Sequence, residues 1–236
     1  MRLPNSRAIL IVVAVAFAFT IHWSPLIGWT GWALFTVAFV VAMLWDRLFP
    51  NAARRKWLAR ASHGAIVLEP PFVDRWYVAS GGPDPRHNHH VTVSDQYFAY
   101  DFLREGGDEW DQPILAPCDG MVVHVENRQD DAPPGKRRRD RKRPAGNYVS
   151  IQTPHGYVIL AHLKKGSIEV RVGDNVRAGT PIGRCGNSGN TTRAHVHLHA
   201  QDQPSINIDI ATGIPVAFTD RLRTQPLLLE YRDRLG

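Results

Sequence analysis

Apolar and polar positions divide the chain into two stretches of different texture. From Ala8 to Ile21 no residue is charged and Val, Ala, Ile and Phe dominate; after Ser24-Pro25 a second uncharged run extends from Leu26 to Trp45. As a helix the second run would be about 30 Å long, the thickness of a bilayer core, and the first only about 21 Å, slightly more with His22 and Trp23. Trp23, Trp29, Trp32 and Trp45 sit at or near the ends of these runs, where amphipathic indoles prefer the membrane interface. Residues 1–60 are therefore predicted to be a membrane segment with two transmembrane helices, 8–23 and 26–45, and a basic flank, with the lipid bilayer as partner. A cleaved signal peptide is the rival for the first run, although no small-x-small cleavage site follows it.

From about Ile66 the texture changes to short β-rich runs separated by Gly, Pro, Asn and Asp, with no long stretch of helical period. Met121 to Val125, Tyr148 to Gln152 and Tyr157 to His162 read as strands, with Pro154-His155-Gly156 as the hairpin turn between the last two. Residues 61–236 are thus expected to form one mainly β domain, a small antiparallel sheet with a sandwich-like core. Residues 127–146 contain almost no apolar side chain and are expected to be a disordered basic insertion from a sheet edge.

Charge refines this picture. The 236-residue chain carries a net +6, but the run from Lys136 to Arg143 holds seven basic residues against Asp140 and accounts for all of it. One local basic loop is not a groove-lining basic face, and aromatic residues are not interleaved with it, so no nucleic-acid partner is expected. Near a bilayer the 136–143 loop could touch anionic lipid headgroups at ~1 kcal/mol per basic residue. Orientation is in conflict with itself. Arg2 and Arg7 precede the apolar runs and Arg47, Arg54, Arg55, Lys56 and Arg60 follow them, which places both ends inside. The two cysteines, Cys118 and Cys185, form no CxxC pair; they read as buried thiols, and a bridge between them would imply an oxidising compartment.

Histidine placement carries the chemistry. Of eleven histidines, His195, His197 and His199 alternate within Ala194-His195-Val196-His197-Leu198-His199. In a strand, positions i, i+2 and i+4 share a face, so three imidazoles line up there, after the glycine-rich turn Gly186-Asn187-Ser188-Gly189-Asn190. Histidine in this pattern points to a metal, and zinc would need a further oxygen or nitrogen ligand while leaving a position for water. The segment Asn88-His89-His90 through Tyr97-Phe98-Ala99-Tyr100-Asp101 offers a histidine pair and an aspartate that closes an apolar stretch.

These segments resemble the lysostaphin/LytM-type murein metalloendopeptidases, in the branch with a stretched first ligand motif. The likeness runs from about Trp76 to Phe218. It rests on Asn88-His89-His90 with Gln96 and Ala99-Tyr100-Asp101-Phe102, then Ile114-Leu115-Ala116-Pro117-Cys118-Asp119-Gly120, Gly146-Asn147-Tyr148-Val149 and Leu160-Ala161-His162-Leu163. Gly173-Asp174 through Ile182-Gly183, and Gly186 to Thr192 leading into His195-Val196-His197, complete it. Carried over by position, the resemblance implies one zinc ion held by His90, Asp101 and His197, with His89 as the alternative to His90. It implies His162 and His195 as catalytic histidines that orient water and stabilise the oxyanion, the latter typically worth ~3 kcal/mol per donor. Ala194 stands where the family usually has proline. His199 falls on the same side, either as a hydrogen-bond partner of a ligand or as packing.

The function so implied is a membrane-anchored zinc metalloendopeptidase acting on a peptidoglycan peptide, with its catalytic domain outside the bacterial membrane. Its rivals are a catalytically silent scaffold or activator of cell-wall hydrolases and a zinc peptidase acting on a non-wall peptide.

Overall fold

A computed structural model describes residues 28–48, 50–133, 136–137, 139–206, 211–219 and 227–235. The chain divides into two compact units, Met1–Ala53 and Arg54–Gly236. In the first, helix α1 (Gly28–Leu48) has 21 residues. Among the described residues no helix is long and apolar enough to cross a membrane. The expected span at 26–45 is therefore not shown by these residues, and the other expected span, 8–23, lies outside them.

Helix α2 (Pro50–Ala61) starts on proline, whose fixed φ and missing N–H suit a first helical turn. Its later part belongs to the second unit, which therefore begins earlier than the expected boundary at residue 61. The reason is packing. Trp57 is 1% exposed, its ring lies 5.2 Å from that of Phe98, and its indole N–H donates to the Tyr97 carbonyl at 3.3 Å.

The second unit is mainly β. Its main sheet contains β2 (Trp76–Ser80), β3 (Tyr100–Arg104), β5 (Gly120–Glu126), β6 (Asn147–Thr153), β7 (Gly156–Leu163), β8 (Asn175–Val176), β10 (Val196–Gln201), β11 (Gly213–Ile214) and β13 (Arg234–Leu235). The order across it is β13-β2-β3-β10-β7-β6-β5-β8, with β11 also paired to β10, and the pairs are antiparallel. Two small ribbons complete the unit. β1 (Ile66–Leu68) pairs in parallel with β12 (Val216–Phe218), and β4 (Pro113–Leu115) pairs antiparallel with β9 (Pro181–Arg184).

The core follows from the apolar positions of these strands. Phe102 on β3 sits 5.3 Å from Phe72 and 5.5 Å from Phe218 on β12, and Phe72 stacks on Trp76 of β2 at 4.9 Å. One face of β2 and β3 is thereby covered. The three expected strands all form, each longer by one residue at either end. Between β6 and β7 the chain reverses over Pro154-His155, with Thr153 opposite Gly156. Gly156 has φ +143°, and a Cβ there would meet Ile214 Cδ1 at 2.4 Å. Cys118 and Cys185 are both free, and burial pushes the Cys118 thiol up to about 12.

The insertion at 127–146 departs from the expectation of disorder, because its two ends are tied to the sheet by hydrogen bonds. Asp131 accepts from the backbone N–H of Asn187 at 2.7 Å and of Lys165 at 2.8 Å, and Ala132 N–H donates to Asn187 O at 3.0 Å. On the returning side, His162 N–H donates to Ala145 O and Asn190 N–H to Pro144 O. Within the basic run, Asp140 accepts from the N–H groups of Lys142 and Arg143. Low apolar content left no core signal in the sequence, but backbone and carboxylate bonds order these stretches without one.

Trp57→Ala should destabilise the second unit by about 3–5 kcal/mol, the usual loss for truncating a buried aromatic. Urea unfolding followed by fluorescence of the remaining tryptophans checks this. An unchanged midpoint would remove α2 from the domain.

Candidate metal centre

The centre is built on cross-strand register. Asp101 on β3 lies directly opposite His197 on β10, and directly opposed residues of antiparallel strands project from the same face. His90 arrives separately, on a 3₁₀ turn (His89–Thr92) capped by Asn88. The Asn88 carboxamide oxygen accepts His90 N–H at 3.0 Å while its nitrogen donates to Gly82 O at 2.6 Å. Both halves of that side chain are used to aim one imidazole.

Four imidazoles then face one carboxylate. His197 Nδ1 is 2.8 Å and His195 Nε2 3.6 Å from Asp101 Oδ1; His90 Nε2 is 3.1 Å and His89 Nε2 3.7 Å from Oδ2. Burial alone would raise the Asp101 pKa, but His90, His195 and His197 outweigh it and hold the carboxyl well below its usual range. Burial pulls His197 down to about 3 and His199 down to about 4, so both rings are neutral near pH 7. His90 Nε2 is buried and, despite its closeness to Asp101, makes no hydrogen bond of acceptable geometry.

An ionised carboxylate with the imidazoles of His90 and His197 at 3.1 and 2.8 Å from its two oxygens offers the donor types of a zinc site, so the residues present fit that metal. Potential ligand atoms of His89, His90 and Asp101 lie within 4.8 Å of one another. Of the two neighbouring histidines, His89 is 71% exposed and its Nδ1 is engaged by Ser80 Oγ at 2.8 Å. His90 is buried and its nitrogen unpaired, which is what a ligand needs.

His162 and His195 form the adjacent wall of a cavity of about 330 Å³ that also includes Pro144, Ala145, Asn190 and Thr191. Strand alternation would send His162 to the face opposite Ala161. Instead His162 takes φ +62°, sparsely populated for a residue with a side chain, and its ring stands 4.6 Å from His195 and 5.7 Å from His197. Backbone carbonyls fix both tautomers. His162 Nδ1 donates to Ser188 O and His195 Nδ1 to Arg193 O, each at 2.8 Å, leaving the Nε2 of His162 as the free end of its ring and the Nε2 of His195 turned toward Asp101. Their environments differ. Burial and the neighbouring rings His195 and His197 press His162 well below the ordinary range. For His195 burial also acts downward, but the attraction and hydrogen bonding of Asp101 win and the net shift is upward.

The glycine-rich turn holds this wall in place. Gly189 (φ +82°) and Gly146 (φ +64°) cross so closely that a Cβ on Gly189 would lie 2.4 Å from Gly146 N. Asn147 completes the lock, donating to Gln129 O and Leu163 O and accepting from Gln129 N–H, while its own N–H donates to Ser188 Oγ. Ser188 is the residue whose carbonyl orients His162. Asn147 could be read from the sequence only as part of a motif, because its three side-chain partners are distant in the chain. Ser80 and Gln201, which also contact the histidines, carry no sequence signal of their own.

Residues 106–208 match Peptidase family M23. The match includes His162, His195 and His197 and begins after His90 and Asp101, whose membership of the site rests on the geometry above. A protein of Buchnera aphidicola subsp. Baizongia pistaciae described as an uncharacterized metalloprotease is 29% identical over 137 residues, covering 58% of this chain and 31% of that protein. The peptidoglycan DD-endopeptidase ShyA of Vibrio cholerae serotype O1 is 31% identical over 156 residues, covering 61% of this chain and 31% of that protein. This chain thus spans about a third of the length of these curated relatives. A mutant catalytic domain of the prophage-encoded M23 protein EnpA from Enterococcus faecalis superposes with a TM-score of 0.42 and 19% identity, over 62% of this chain and 93% of that one.

His90→Ala should weaken zinc binding by more than the 10- to 100-fold that a supporting hydrogen bond is worth, whereas His89→Ala should leave the affinity nearly unchanged. Competition titration against a chromogenic chelator reads both, and the reverse ranking would make His89 the ligand. Asn147→Ala takes its partner from both the N–H and the carbonyl of Gln129 and should cost about 2 kcal/mol in urea unfolding.

Proposed function

This chain carries a peptidase M23 domain of the LytM/lysostaphin type, and on that basis we propose that it is a zinc metalloendopeptidase that hydrolyses peptide bonds of peptidoglycan. The observation that supports it best is Asp101, ionised and buried, with His90 Nε2 and His197 Nδ1 at 3.1 and 2.8 Å from its two oxygens. In this reading His90, Asp101 and His197 hold one zinc ion. The bound metal would supply Lewis acidity toward a carbonyl and water acidified from a pKa of ~15.7 toward ~7.

The protein's own groups do the rest. An extended peptide lies along the groove beside His162 and His195, with the returning arm of the insertion, Pro144 and Ala145, as one bank. Each imidazole is held by a backbone carbonyl at Nδ1 and presents Nε2 to the groove. A neutral Nε2 accepts the proton of attacking water; a protonated one donates to the oxygen that becomes negative and then to the leaving amine. Thr191 Oγ1 donates to the same Arg193 carbonyl at 2.6 Å and lies 3.2 Å from His195 Nδ1, limiting rotation of that ring. Peptidoglycan is the substrate class we favour because the Vibrio cholerae relative is named for it. It would require the domain to work on the wall side of the membrane.

The test is incubation of the zinc-loaded full chain with purified cross-linked peptidoglycan, reading new amine termini by mass spectrometry. Cleavage should vanish with chelator. It should fall ~10²- to 10⁴-fold in His195→Ala and His162→Ala while one equivalent of zinc stays bound. Zinc binding without cleavage of any wall peptide would contradict the hydrolase and leave a silent scaffold.

A further inference from the structure

The polar line that begins at Asp101 continues beyond the metal centre, along β10. His197 Nε2 is 3.0 Å from His199 Nδ1, and His199 Nε2 is 3.1 Å from Gln201 Oε1. The Gln201 amide nitrogen donates to the carbonyls of Gln203 at 2.8 Å and Ser205 at 2.7 Å. All three side chains are buried.

The far end of this line dictates every proton in it. Carbonyl oxygens only accept, so the Gln201 amide nitrogen must face them; turned over, its oxygen would oppose two acceptors. Oε1 is therefore the atom that meets His199, and His199 Nε2 must carry the hydrogen. A neutral imidazole has one N–H, so His199 Nδ1 is an acceptor and His197 Nε2 must donate to it. His197 Nδ1 keeps its lone pair, pointed at Asp101 Oδ1 2.8 Å away. Two acceptors then face one another, an arrangement that a cation held by both relieves.

We propose that Gln201, acting through His199, is a positioning residue that sets His197 in the tautomer whose Nδ1 binds zinc; this rests on the metal-centre reading above. The device is a feature of one strand. Residues 197, 199 and 201 alternate onto one face, so the ligand and both of its supports are placed by the same backbone. The loop after β10 enters the argument as well, because the carbonyls of Gln203 and Ser205 are what orient the glutamine.

Two readouts besides activity test it on the full chain. The first is zinc affinity by chelator competition. His199→Leu and Gln201→Leu should each lose on the order of 10- to 100-fold. His199→Gln, which can accept from His197 with its oxygen and donate to Gln201 with its nitrogen, should restore most of the loss. Equal losses for His199→Leu and His199→Gln would mean the residue only fills space, and the proposal falls. The second is long-range ¹⁵N–¹H NMR of the histidine rings in the zinc-loaded protein. His199 should be protonated at Nε2 alone and His197 at Nε2 with Nδ1 metal-bound. A His199 ring protonated at Nδ1 in a protein that still binds zinc would overturn the relay and leave the zinc site standing. Failure of the unmodified chain to bind zinc would overturn both.

Discussion

One carboxylate organises this molecule's centre. Asp101 is buried in the middle of a sheet, and an ionised carboxylate there is tolerable only if the surroundings compensate it. Four imidazoles from three separate parts of the chain surround it: the 3₁₀ turn, the approach to β10, and β10 itself. The cross-strand pairing of Asp101 with His197 fixes the first of these contacts, and the others follow from how the flanking segments are tied down. The aromatic cluster of Phe72, Trp76, Phe102 and Phe218 packs on the other side of β3, joining it to β2 and β12.

Around that point the fold uses backbone groups to aim side chains. Asn88 aims His90, the Ser188 carbonyl aims His162, the Arg193 carbonyl aims His195, and Gln201 through His199 aims His197. The strained position at the site is His162, whose positive φ departs from strand geometry where the insertion and the glycine-rich turn meet. Strain of this kind costs on the order of 1–3 kcal/mol and persists only when neighbours over-determine it, which the Asn147 and Ser188 hydrogen bonds do here.

What could be read from the sequence was what local periodicity and residue chemistry encode. The alternation of His195, His197 and His199 places them on one face without any knowledge of the fold, and the Pro154-His155-Gly156 turn predicts its hairpin. The pairing of Asp101 with His197 could be proposed only through the family resemblance, since 96 residues separate them. The sequence was silent about Trp57, because a lone tryptophan in a basic, weakly apolar helix gives no burial signal. It was misleading about 127–146, where order comes from backbone hydrogen bonds to Asn187, Asn190 and His162 rather than from apolar side chains.

The account stands most directly on where a metal sits. Crystals of the zinc-loaded chain, measured at the zinc absorption edge, should show one anomalous peak within about 2.0–2.2 Å of His90 Nε2, an Asp101 oxygen and His197 Nδ1. A peak held by any other set of side chains, or no ordered peak in this groove, would contradict the claim that Asp101 is the hub of a zinc centre.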